Sequence, residues 1–436
     1  MITAGFSKVC ISPAVGAPLA GFAARQGVCA GIHDDLYARS LVLENGQQNV
    51  ALVGVDLLAL SSDFVRSVRQ RISKRTPIHA DSILIASTHT HAGPVTVQTF
   101  FNPGESLDEA YMSSLAAAIV ESVSTAWESR FAARAGVGSA CVSGIGVNRR
   151  TPDKRPVDEE VGIIRIDDRN GVTRGVLVNY SCHPTVLGSD NLLATGDFPY
   201  FAVEAIENEI GDGGFAMFVN GTQGNISMGH SSELSAIGVI TPGRTFEHAE
   251  ELGQKLASAA IAELPKIQTS KSPELRVATR EAGFPIKPLP PIETAAGELE
   301  QSDKRLRELS SNGASTEEVM KAKSSRLYAS ITDFYAREMS VHKDGRLPVE
   351  LQGLRIGDAF FLAVPAEIFV EIGLGIKERA SHKAFIIGIA NGYIGYLPTK
   401  TAFNMGGYEV VSSKVAPESE SLLYEKAREL ETVLFE

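Results

Sequence analysis

Short β-branched runs alternate with amphipathic stretches along the first half of this chain. Apolar runs at Leu41 to Leu43, Asn49 to Leu58, Ser82 to Ala86, Gly162 to Ile166, Val172 to Tyr180 and Phe215 to Val219 predict strands, each bounded by turn-forming residues. Helical spacing of apolar positions predicts helices over Ser62 to Arg75, Asp108 to Trp127, Asp197 to Ile210 and Thr245 to Leu264, with Ser62 or Asp63 as N-cap of the first. The Pro-rich segment Gly283 to Pro291 then interrupts the pattern, and Ile292 to Val341 becomes charged and helical with a break at Ser310-Ser311-Asn312-Gly313. Strand patterns return at Val349 to Ile356, Ala359 to Val364 and Ala384 to Ile389, and a helix is predicted over Glu367 to Ala380. The whole reads as an α/β fold: a mixed β-sheet core covered by helices. One domain over residues 1–436, with a charged helical hairpin inserted at 292–341, is simpler than two domains, because no internal repeat or long linker divides the chain.

Composition narrows the partners. Lys+Arg of 41 against Asp+Glu of 52 gives a net charge of −11, and no basic run breaks that balance, which argues against nucleic acid and anionic membrane surfaces. A small-molecule substrate is the expectation, with the oligomeric state left open. No apolar stretch approaches the ~20 residues of a spanning helix, and the N-terminus lacks the basic and apolar regions of a signal peptide, so a cytoplasmic location is expected. Cys10, Cys29, Cys141 and Cys182 are far apart and read as reduced.

The chemistry gathers where apolar strands end. Ser87-Thr88-His89-Thr90-His91-Ala92-Gly93-Pro94 places two histidines two residues apart, so both can address one volume beyond the strand. Imidazole ligates metals and titrates near neutral pH, so one can bind an ion while the other moves protons; two idle loop histidines are the plain alternative. Asn179-Tyr180-Ser181-Cys182-His183-Pro184 repeats the arrangement, and His183 can converge on His89 if their strands are neighbours. Zinc wants a further carboxylate, and Val364-Pro365-Ala366-Glu367 offers one at another strand end, although Glu367 also suits a helix N-terminus. Three more strand-end loops present Arg149, Ser227, and the tyrosines of Asn391-Gly392-Tyr393-Ile394-Gly395-Tyr396.

Together these segments resemble the neutral, non-lysosomal ceramidases. The likeness is carried by Ser-Thr-His-Thr-His-x-Gly-Pro at 87–94, His-Pro-Thr at 183–185 followed by Gly196-Asp197, Asn148-Arg149, Gly224-x-Ile226-Ser227, Pro365-x-Glu367, and Asn391-Gly392-Tyr393-x-x-Tyr396 with Tyr408 beyond, in the family's order. The resemblance implies a zinc amidohydrolase that uses metal-bound hydroxide, with His89, His183, Glu367 and Tyr396 as metal ligands. It implies His91 as general base, Arg149 and Tyr408 as supports of the substrate carbonyl, and Ser227 beside the scissile amide. Two loops depart from the family. Gly224-Asn225-Ile226-Ser227-Met228 stands where ceramidases carry Gly-Asp-Val-Ser-Pro, and Tyr408-Glu409-Val410-Val411-Ser412 stands where they carry Tyr-Glu-Gly-Ala-Ser. The ceramidases' C-terminal β-sandwich domain is not expected within 1–436. The substrate is therefore expected to be a ceramidase-like N-acyl compound or a small soluble amide. The alternatives are an esterase or lactonase acting on a small polar, sugar-derived substrate, and a non-catalytic ligand-binding relative. A serine hydrolase built on Ser227 lacks the Gly-x-Ser-x-Gly elbow.

Overall fold

The computed structural model describes every residue except 103–105 and 212. Its frame is an eight-stranded mixed sheet in the order Phe215–Asn220, Thr173–Tyr180, Glu160–Asp168, Phe131–Cys141, Thr3–Cys10, Tyr37–Glu44, Asn49–Val55, Ile83–Ser87. A second sheet runs Leu275–Pro285, Arg346–Ile356, Ala359–Ala363, Lys383–Ile387. The two lie face to face. Leu41, Leu43, Leu52 and Leu177 of the first share a core with Leu354, Phe361, Phe385 and Ile387 of the second. Because side chains alternate across a strand, Val42, Ala51 and Val53 face the other way and pack under the helices Ser62–Arg75 and Glu109–Glu128. Helices Phe198–Ile210 and Phe246–Glu263 cover Val176, Val178 and Phe218. Tyr37–Glu44, Asn49–Val55, Phe215–Asn220 and Ala359–Ala363 are thus buried on both faces, which is why they read as continuous apolar runs rather than as alternations.

The helical segment after the Pro-rich stretch comprises Ile292–Ser311 and Thr316–Met339, the latter opened by a capping box between Ser315 and Glu318. The helix Thr316–Met339 lays Leu327, Ile331, Tyr335 and Met339 into the core outside the second sheet. Among the described residues no helix is long and apolar enough to cross a membrane.

Three readings change. The strands leading to His89 and His183 are not neighbours: Ile83–Ser87 stands at one end of the strand order and Thr173–Tyr180 next to the other. The histidines meet because the sheet curls its edges together, with Asn220 Nδ2 of the Phe215–Asn220 edge donating to Thr88 O at 3.1 Å and to Cys182 O at 3.1 Å. Glu367 does not open a helix. It forms a short parallel bridge, Glu367–Ile368 with Tyr396–Leu397, and the helix begins at Val370. Finally, the strands Thr3–Cys10, Phe131–Cys141 and Leu275–Pro285 lack a strong apolar signal in the sequence, and the terminal helix Ser419–Phe435, unassigned above, carries one in Leu423, Ala427, Leu430 and Leu434. In Phe131–Cys141 the reason is contact: a Cβ on Gly136 would stand 2.2 Å from Gln268 O, so backbone packs where a larger apolar residue would otherwise announce the strand.

Candidate active site

His89, His91 and His183 converge so that one ring nitrogen of each lies within 4.8 Å of the others. The chain turns sharply to achieve this. His89 sits at φ 72°, a costly conformation for a residue with a side chain, and is held there by its N–H donating to Leu57 O at 2.9 Å. Its Nδ1 bonds Leu58 O at 2.8 Å, and His183 Nδ1 bonds Gln223 O at 2.7 Å and Ile226 O at 3.0 Å. A carbonyl only accepts, so both imidazoles carry their proton on Nδ1 and aim the Nε2 lone pair inward.

What those lone pairs meet is a carboxylate. Glu367 Oε2 lies 3.0 Å from His183 Nε2 and 3.5 Å from His89 Nε2, with every partner buried. Burial pushes the His183 imidazole down to about 4, helped by the positive charge of Arg149. Burial also presses the Glu367 carboxyl upward, and positive charge on the His89 and His183 side is what outweighs it and holds it well below the usual range. A charged carboxylate facing two neutral lone pairs repels them unless a cation joins the three. Among the described residues the buried Nε2 of His89 and both ring nitrogens of His91 have no hydrogen-bond partner. Buried polar atoms are ordinarily paired, so this donor set fits a bound metal ion.

The remaining predicted residues form the walls. Arg149 Nε pairs with Glu409 Oε1 at 2.8 Å, while Nη2 donates to Gly224 O at 2.8 Å and to the Tyr396 hydroxyl at 3.2 Å. Burial, with Glu367 adding to it, keeps the Tyr396 phenol well above its ordinary range. The Tyr408 ring crosses the Tyr396 ring at 6.0 Å between centroids. Ser227 is brought in by a short antiparallel pairing of Ile226–Ser227 with Val147–Asn148 that also delivers Arg149. Its Oγ donates to His230 O at 3.4 Å and accepts from the Gly229 N–H at 3.3 Å. Among the described residues no imidazole stands at that hydroxyl to act as its base. His91, Arg149, His183, Ser227, Tyr396 and Tyr408 all line one cavity of about 40 Å³.

Two site residues carried no assignment from sequence. Tyr393 donates from its hydroxyl to Glu367 Oε1 at 2.6 Å, orienting the carboxylate, and Glu409 holds both Arg149 and Arg150. Tyr393 lay inside the Asn391-Gly392-Tyr393 run, and Glu409 inside the Tyr408-Glu409 segment set beside the family's Tyr-Glu-Gly-Ala-Ser, both already singled out without a role for these two residues.

Comparison with known proteins places this arrangement. Residues 3–232, just over half of the chain, match the family described as neutral/alkaline non-lysosomal ceramidase, N-terminal. The chain is 23% identical to the neutral ceramidase of Pseudomonas aeruginosa over 91% of its own length and 66% of that protein's. It is 23% identical to the neutral ceramidase of Drosophila pseudoobscura over 92% of its length and 70% of that protein's. The crystal structure of the Pseudomonas aeruginosa neutral ceramidase superposes with a TM-score of 0.76 at 19% identity, covering 99% of this chain and 74% of that one. The chain therefore spans about two thirds to three quarters of these relatives. With the family match and the shared fold together, the chain belongs to the neutral/alkaline non-lysosomal ceramidase family.

Proposed function

We propose that the protein is a zinc-dependent hydrolase that cleaves the amide bond of an N-acyl compound, with His89, His183, Glu367 and Tyr396 holding the metal. The observation that carries this reading is the meeting of two Nδ1-protonated imidazoles and a charged carboxylate at one buried point. Zinc held there would polarise a carbonyl and bring the pKa of a bound water to about 7.

The chain's own residues supply the rest. His91 has two unpartnered ring nitrogens, and burial beside His89 and His183 keeps its imidazole neutral, so it can take a proton from the attacking water and return it to the leaving nitrogen. Arg149, fixed by Glu409 and Gly224 O, and Tyr408 across the cavity are preorganised donors for the carbonyl oxygen as charge develops on it, worth ~3 kcal/mol per well-placed donor. Ser227, committed to local backbone partners, positions substrate rather than attacking it.

The test is hydrolysis by the purified protein of N-acyl amides of one fluorogenic amine, of ceramide and of a matched ester, before and after chelation and with zinc restored. Amide cleavage that disappears on chelation and returns with zinc is expected. A protein that takes up no metal, or whose activity ignores the chelator, overturns the reading.

A further inference from the structure

We infer that Phe22 is a specificity-determining residue, closing the cavity over His91 so that short acyl groups are accepted in preference to long chains; the inference rests on the hydrolase reading above. The Phe22 ring stands 5.0 Å from the His91 ring, and the segment Gly21–Ala23 lines the same cavity as Arg149, Ser227 and Tyr408. Two guanidinium groups flank the ring, Arg25 with its central carbon 5.1 Å and Arg244 with its central carbon 5.3 Å from the ring centroid. Cations at that range are attracted to an aromatic face.

Both cations are themselves anchored. Arg25 donates to the carbonyls of Ala20 at 2.6 Å, His91 at 2.8 Å and Asn191 at 3.1 Å. Arg244 donates to the carbonyls of Val186 at 3.2 Å, Thr185 at 3.0 Å and Leu187 at 2.8 Å, and to Ser235 Oγ at 3.2 Å. These bonds tie Phe22 to the backbone that carries His91 and to the loop after His183. The segment cannot settle deeper or carry a side chain at its apex: Gly21 has φ 101°, and a Cβ there would stand 2.5 Å from His91 Cγ.

The enclosed volume decides the consequence. About 40 Å³ lies far below the ~300 Å³ at which ordinary ligand pockets begin. Three larger cavities, of about 1220, 850 and 410 Å³, share no described lining residue with it, so none of these three extends the site into a trench. An acetyl-sized group fits under Phe22, and a long chain meets the ring.

The experiment compares the parent with Phe22→Ala and the milder Phe22→Leu, using acetyl, hexanoyl and dodecanoyl amides of one fluorogenic amine. The parent is expected to favour acetyl over dodecanoyl in kcat/KM, and F22A to shrink that ratio by at least about tenfold, mainly through a lower KM for the longer amides, with F22L between. A second readout needs no turnover. Calorimetric binding of acetate, hexanoate and dodecanoate to the zinc-loaded protein should show F22A gaining about tenfold for hexanoate, again with F22L between. A parent that binds and cleaves dodecanoyl as well as acetyl compounds, or variants with unchanged length profiles, overturns the inference. Loss of all amide turnover while the length selectivity of binding persists overturns the hydrolase reading and leaves Phe22 its role. If F22A does not fold, F22L alone carries the comparison, and an unchanged length profile in F22L rejects the inference.

Discussion

Asn225 and Glu371 are locked together where the serine loop meets the helix after Glu367. The Asn225 amide donates to Glu371 Oε2 at 2.8 Å while its Oδ1 accepts from the Val370 N–H at 2.9 Å. The other Glu371 oxygen accepts from Asn148 Nδ2 at 3.1 Å, so one carboxylate ties the loops of Ser227 and Arg149 to the helix Val370–Arg379 that follows Glu367. This accounts for the departure from the family's aspartate at position 225: a second carboxylate there would face Glu371 at hydrogen-bonding distance.

Asn225→Asp should accordingly destabilise the fold by about 2 kcal/mol, the scale of a lost bond to a charged group. Pairing it with Glu371→Gln should recover much of that loss. Urea unfolding of the two singles and the double closes the cycle, and additive effects would show that the contact carries no coupling.

His183→Ala and His91→Ala separate holding a metal from moving a proton. His183→Ala should remove most bound zinc, because Glu367 then loses its nearest imidazole. His91→Ala should keep about one zinc per chain while kcat falls by roughly 10²- to 10⁴-fold, the range for losing a general base. Elemental analysis beside steady-state kinetics reads both. Since all three histidines lie within 4.8 Å, loss of zinc in both variants would reassign His91 as a ligand.

Ser227→Ala should retain part of the activity, with KM changed at least as much as kcat, and the quenched parent should carry no acyl group on the peptide containing Ser227. Mass spectrometry after rapid quench is the measurement. An acylated serine would require a base that the hydroxyl does not meet in this structure.

Glu160 gives a pH signature away from the site. Burial raises its carboxyl, but Lys377 at 3.0 Å and Lys383, which also pairs with it, outweigh that and hold it at about 2. A carboxyl whose folded value is depressed stabilises the fold above its unfolded value, near 4.5, and the benefit is lost as pH falls towards 2. Glu160→Gln should therefore cost about 1 kcal/mol at neutral pH, solvent screening having reduced the pair, and progressively less as the pH falls from about 4.5 to 2. Urea midpoints across that range test it, and a pH-independent difference would count against the ion pairs.

How far the site was legible follows from how each residue is held. His89, His91 and His183 could be read because strand end, histidine and proline or glycine occur together within eight residues. Glu367 could be read as the carboxylate after a proline-stopped strand, whereas Tyr396 could be chosen only through family likeness, because its pairing with Glu367 in a parallel bridge joins positions 29 apart and leaves no local trace. Tyr393 and Glu409 went unassigned for the same reason: their partners are distant in sequence. In the fold, strands with β-branched runs were legible. Phe131–Cys141, made largely of small residues, was not, and its placement depends on what packs against it.

The division of the metal-binding set along the chain has a consequence for assembly. The three histidines lie within residues 3–232, whereas Glu367, Tyr396 and Tyr408 come from the last quarter of the sequence, on segments that follow strands of the second sheet. An isolated leading half would own imidazoles but no counter-charge, and an isolated trailing half a carboxylate with nothing to face. Contacts of such long sequence separation form late, because closing the intervening loop must come first. An ion that binds only after both halves have docked draws the equilibrium towards the joined state by mass action, by about 2.7 kcal/mol at a hundredfold excess over its dissociation constant. On the hydrolase reading proposed above, metal uptake would thus report that both halves of the chain have docked.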